Sequence, residues 1–145
     1  MNQPAKAPVH LWIVAALGTV WNGFGALDYT MTQAANEAWM AQMTAAQQAW
    51  LDAAPAWANA AWAFGVWGGL AGSLLLFVRS RHAVTAFILS LAGLAANTAF
   101  QASSPMPAGA MTANAQLGLH LAVWTGAIAL LLYALAMRRR GVLRR

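Results

Sequence analysis

The charged residues of this chain are sorted by sign around four long apolar runs. Lys6 precedes the first run, Arg79 and Arg81 separate the second from the third, and Arg138, Arg139, Arg140, Arg144 and Arg145 follow the fourth. Asp28, Glu37 and Asp52 all fall between the first and second. A helix of about 20 apolar residues crosses the ~30 Å hydrocarbon core of a bilayer. Residues 9–27, 55–78, 83–101 and 117–137 meet that length. Because Lys and Arg resist translocation, the sorting predicts four crossings, with both termini on the cytoplasmic side and the acidic connection outside. The expected fold class is all-α, an integral membrane four-helix bundle forming one domain over residues 1–145.

Hydrophobic residues make up 61% of the chain and charged residues only 8%, against about 25% charged in a soluble domain. A net charge of +5 would point to nucleic acid in a soluble protein. Here most of the positive charge forms a tail directly after an apolar run, where it acts as a stop-transfer signal, so the expected partner is the lipid bilayer and not nucleic acid. Cysteine is absent, which excludes disulfides, thiolate metal sites, iron–sulfur clusters and a cysteine nucleophile. The first run, preceded by Lys6 and ending near Gly23-Phe24-Gly25, also fits a secretory signal. Its continuation through Trp21 to Leu27 to full spanning length favours a retained span.

Between the second and third spans only Arg79-Ser80-Arg81-His82 intervene, which predicts a tight antiparallel hairpin. The connection between the last two spans, with Ser103, Ser104, Pro105, Pro107 and Gly109, reads as an irregular outer loop. Residues 33–51 are strong helix formers that place Trp39, Met43, Ala46 and Trp50 on one stripe, opposite Glu37, Thr44 and Gln48. They predict an amphipathic helix on the outer (periplasmic) surface, either covering the span ends or serving as a gate or docking face. Of the eight tryptophans, Trp12 and Trp57 suit the two membrane interfaces. Trp21, Trp67 and Trp124 lie deeper, packed in the bundle or stacked on a ligand.

Two features carry candidate function. Ala58, Ala61, Gly65, Gly68, Gly69 and Gly72 form a small-residue face on the second span, with Gly-x-x-x-Gly pairs at 65/69 and 68/72. Such a face lets another helix approach closely, within the bundle or across a dimer seam. Gly18, Asn22 and Gly25 offer a weaker counterpart on the first span. The second feature is depth. Asn22 lies about 9 Å below Asp28 at 1.5 Å per residue, and Asn59, Asn97 and His120 each lie near the outer end of their own span. With Asp28, Tyr29 and Gln101 at the mouth, they form either an outward-facing ligand pocket or an interhelical hydrogen-bond network. Asn22, Asp28, Asn59, Asn97, Gln101 and His120 are therefore the candidate ligand-binding residues.

Catalytic chemistry has little to work with. His10 and His82 sit at the inner border and His120 near the outer one, so no three can share a metal; His10 with His82 could in principle ligate a haem, but both also suit helix-end positions that need no ligand. No Ser-His-Asp spacing, phosphate loop or paired carboxylates are present. The expectation is a non-enzyme without a cofactor.

The segment Trp21-Asn22-Gly23-Phe24-Gly25-Ala26-Leu27-Asp28-Tyr29-Thr30-Met31-Thr32, together with Pro55-Ala56-Trp57-Ala58, Ala61-Trp62-Ala63-Phe64-Gly65-Val66-Trp67-Gly68-Gly69 and the Arg-rich tail, resembles a family of small bacterial four-helix membrane proteins. Members often carry the label of sugar transporter. The resemblance covers nearly the whole chain and implies the bacterial inner (cytoplasmic) membrane. Two function classes follow: a non-enzymatic accessory or interaction subunit, acting as a homo-oligomer or in a larger membrane complex, and a small-molecule transporter or binder, sugar included.

Overall fold

The computed structural model describes residues 6–144; Arg145 lies outside the described residues. The regular elements of the described residues are all helices: α1 Val9–Gln33, α2 Glu37–Met40, α3 Ala45–Asp52, α4 Ala56–Phe77, α5 His82–Ser103 and α6 Ala113–Arg139. Helices α1, α4, α5 and α6 are each long and apolar enough to cross a membrane. All four run longer than the hydropathy alone required or start within a residue of it. The largest shift of a single helix end is in α1, which continues six residues past the predicted end, through Asp28 and Tyr29 to Gln33.

Much of the outer surface of these helices is apolar. Ile13, Leu17, Val20 and Phe24 on α1, Phe64 on α4, Ile88 on α5, and Leu117, Leu121 and Leu132 on α6 are all exposed. In water such a surface would drive aggregation; against lipid tails it costs nothing, and helix association then depends on close van der Waals contact and hydrogen bonds. Small residues supply that contact. A β-carbon at Gly93 would stand 2.5 Å from the backbone nitrogen of Gly65 and 2.6 Å from the carbonyl oxygen of Ala61, so α4 and α5 touch backbone to backbone. One at Gly68 would lie 3.0 Å from the nitrogen of Ser90. The Ser90 hydroxyl donates to the Gly65 carbonyl at 2.5 Å, tying the same two helices.

The hydrophobic core lies at the basic end. Leu11 and Ala15 of α1, Leu76 of α4, Ala83, Val84 and Phe87 of α5, and Ala134 and Met137 of α6 meet there with Val142 and Leu143 of the tail. The tail is held by a Schellman motif. Gly141 takes φ 68, its N–H bonds to Arg138 O at 3.0 Å, and the Val142 N–H reaches back to Met137 O at 3.0 Å. This turn aims Val142 and Leu143 into the core. Arg144 then bridges to the α4–α5 hairpin, its N–H bonded to Arg79 O and its carbonyl accepting from Arg81 N–H at 3.3 Å. Toward the other end α6 parts from its neighbours, and every residue from Ala113 to Leu119 is exposed.

The single amphipathic helix predicted over 33–51 is replaced by two short ones. The run contains two strong N-caps, and each starts a helix of its own. Asn36 accepts from the Trp39 N–H at 3.1 Å to begin α2. Thr44 and Gln47 form a reciprocal capping box that begins α3. The predicted stripe is divided accordingly: Trp39 and Trp50 are half-buried against different helices, and Ala46 is exposed.

Candidate functional site

Among the polar side chains toward the acidic end, Asn22, Asp28, Asn59, Asn97 and Gln101 each make a side-chain hydrogen bond. Asn22 stands at the middle of the lengthened α1, about 17 Å from its acidic end at 1.5 Å per residue. It is thus well below the others. Its amide donates to Gly18 O at 2.9 Å and to Ser73 Oγ at 3.3 Å. Its Oδ1 fills the space that a β-carbon at Gly69 would occupy. Ser73 in turn donates to Gly69 O at 2.9 Å, completing a polar contact at the α1–α4 seam. Asn22 therefore binds α1 to α4 and does not open onto the acidic end.

Asp28 accepts the Trp39 indole N–H at 2.9 Å, which anchors α2 to α1. The other side of the strap is held by Trp50, whose indole N–H donates to Ser104 O at 3.0 Å while its ring lies 5.2 Å from that of Phe100. Trp57 meets the same Phe100 edge-on at 5.6 Å, and Tyr29 meets Trp62 edge-on at 5.0 Å. Helices α2 and α3 thus form a strap joining the acidic ends of α1 and α5, fastened by an indole at each side.

Gln101 donates to Asn97 Oδ1 at 2.5 Å, one turn away on the same helix. Nearby, the Trp124 indole donates to Thr98 Oγ1 at 3.3 Å and links α6 to α5. His120 is half-buried one turn before Trp124. Asn59 accepts from Gln33 Nε2 at 3.5 Å across the α1–α4 seam. These two residues border a recess of about 270 Å³ with Thr32, Ala35, Met40, Leu51 and Asp52. The structure therefore brings Asn59 to a recess with Asp52, keeps Asn97 with Gln101, and separates Asn22 from both. Trp21 and Trp67, expected within the bundle, lie on its surface.

The small-residue face of α4 is divided between two neighbours. Gly65 and Gly68 face α5, Gly72 faces the Phe87 ring of α5, and Gly69 faces Asn22 of α1. Gly25 rests against Val66. Gly93, Ser90 and Ser73 complete these contacts without having been singled out; a small residue at each of 90 and 93 on α5 is the signal that would have found two of them. His10 Nδ1 and the Tyr133 hydroxyl share a hydrogen bond of 2.5 Å that joins α1 to α6 at the basic end. Among the described residues, no three His, Asp or Glu side chains lie together as a metal site would require. No protein-family model, curated protein or solved structure matches the chain.

Proposed function

We propose that this chain is a non-enzymatic accessory or interaction subunit of the bacterial inner membrane, with both termini cytoplasmic and the α2–α3 strap on the periplasmic side. One observation carries the reading: Asn22, Asp28, Asn97 and Gln101 are taken up in hydrogen bonds that join helices, fasten the strap or pair along one helix. Residues committed in this way support a scaffold more than a substrate path. The exposed first two turns of α6 add to it, because they leave a spanning helix free to meet another membrane protein or a second copy. The orientation rests on the sorting of Lys and Arg against Asp and Glu.

Native mass spectrometry of the protein released from mild detergent or nanodiscs tests this reading. It is supported by a homo-oligomer or a larger complex of fixed stoichiometry. A bare monomer carrying one tightly held small molecule would replace it with the second reading, a small-molecule binder or transporter. That alternative is favoured by the recess beside Asn59 and Asp52, although at about 270 Å³ it falls below the ~300–1,000 Å³ usual for small-molecule sites.

A further inference from the structure

At the basic end, one face of α6 carries Leu132, Leu135, Ala136, Arg139 and Arg140, which line a groove of about 260 Å³. The spacing is that of a single helical stripe, so aliphatic side chains lead to two guanidinium groups at the end of the helix. Among the described residues, the guanidinium groups of Arg139 and Arg140 make no side-chain hydrogen bond or ion pair, and both residues are exposed. Capping does not occupy them, because backbone N–H groups of Gly141 and Val142 already serve the terminal carbonyls of Arg138 and Met137. No carboxylate side chain competes nearby: Asp28, Glu37 and Asp52 are all at the opposite end of the molecule.

We propose that this groove is a binding site for an anionic phospholipid. The phosphate is held by Arg139 and Arg140 at the headgroup level, and an acyl chain follows Leu135 and Leu132 into the hydrocarbon. The charge of the groove selects the headgroup, and its continuity along a membrane-spanning helix selects a lipid over a free phosphate. A basic pocket at the end of a spanning helix is suited to anionic headgroups, each arginine that reaches the bound phosphate strengthening its hold about fivefold. The inference needs only that α6 spans the bilayer, so it stands whether or not the proposed subunit role holds.

The test is native mass spectrometry of the full chain titrated with phosphatidylglycerol or with phosphatidylcholine of the same acyl chains. Wild type retains phosphatidylglycerol selectively, and the pair Arg139→Gln, Arg140→Gln weakens retention about 30-fold. The pair Arg81→Gln, Arg144→Gln removes the same charge outside the groove and leaves retention within about twofold of wild type. Both variants change exposed side chains, and circular dichroism checks that each keeps its helix content. Inorganic phosphate alone gives no stable adduct. Equal weakening by the two charge-matched variants, equal retention of phosphatidylcholine, or a phosphate adduct as persistent as the lipid's would each overturn the site.

Discussion

The side-chain amide of Asn22 occupies the space above Gly69 where a β-carbon would otherwise stand. A polar residue in the middle of a spanning helix is costly if it faces lipid, and here it is matched by a carbonyl one turn back on its own helix and, on the facing helix, by a hydroxyl and a missing side chain. Replacing Gly69 by Ala forces Asn22 off this position and presses Ser90 Oγ, 3.2 Å from the new carbon. The expected loss is about 1–3 kcal/mol, as for overpacking of a close-packed interior. Gly118→Ala, where nothing lies within 4 Å of the added carbon, is the control and should leave stability nearly unchanged. Thermal unfolding in detergent reads both; equal midpoints for the two variants would contradict the seam described.

Gly141 sets the direction of the tail. Its φ of 68 belongs to the left-handed region, which costs a residue with a β-carbon about 1–2 kcal/mol. Gly141→Ala should therefore loosen Val142 and Leu143 from the core, while Gly141→Asn, a residue more tolerant of this conformation, should do so less. Hydrogen exchange of the Val142 amide, bonded to Met137 O at 3.0 Å, reports the difference. Unchanged protection in Gly141→Ala would mean that the tail is held without the turn.

The four spans were legible because length and hydropathy alone decide whether a helix can cross a bilayer. The small face of α4 was legible as a packing surface, but its division between α1 and α5 depends on how each helix is rotated, which periodicity within one helix does not specify. The polar cluster shows the same limit. Depth groups Asn22 with Asn59, Asn97 and His120 only for an α1 that ends at Leu27; its continuation to Gln33 moves the acidic end away from Asn22. Even at matched depth, Asn59 and Asn97 turn to different neighbours. Helix propensity across residues 33–51 masks the caps at Asn36 and Thr44, which divide the strap into α2 and α3. The Gly141 turn was hidden by the arginines around it, although a glycine directly after a helical run and ahead of Val142-Leu143 is a recognisable stop signal.

The bond from Trp39 to Asp28 fastens one side of the strap. Removing the carboxylate by Asp28→Ala, the indole by Trp39→Phe, and both together forms a double-mutant cycle. A hydrogen bond to a charged, partly buried acceptor is worth about 1.5–3 kcal/mol, and the coupling should approach that range. Additive losses would show that α2 is held by other contacts. The same variants should raise proteolysis within residues 34–44 if this bond keeps the strap down.

Orientation is the prediction with the widest consequence, because it decides which compartment each end of the molecule addresses. The absence of cysteine makes it directly testable. Gln42, between α2 and α3, and His82, at the start of α5, are both exposed, so single cysteines at these positions leave the core untouched. The segregation of Lys and Arg from Asp and Glu requires the Gln42→Cys variant to react with a membrane-impermeant thiol reagent in intact cells and the His82→Cys variant to react only after permeabilisation. Inverting the molecule would carry Arg79, Arg81 and the arginines that follow α6 across the bilayer against the insertion bias. Labelling of His82→Cys but not Gln42→Cys in intact cells would establish that inversion and place the α2–α3 strap in the cytoplasm.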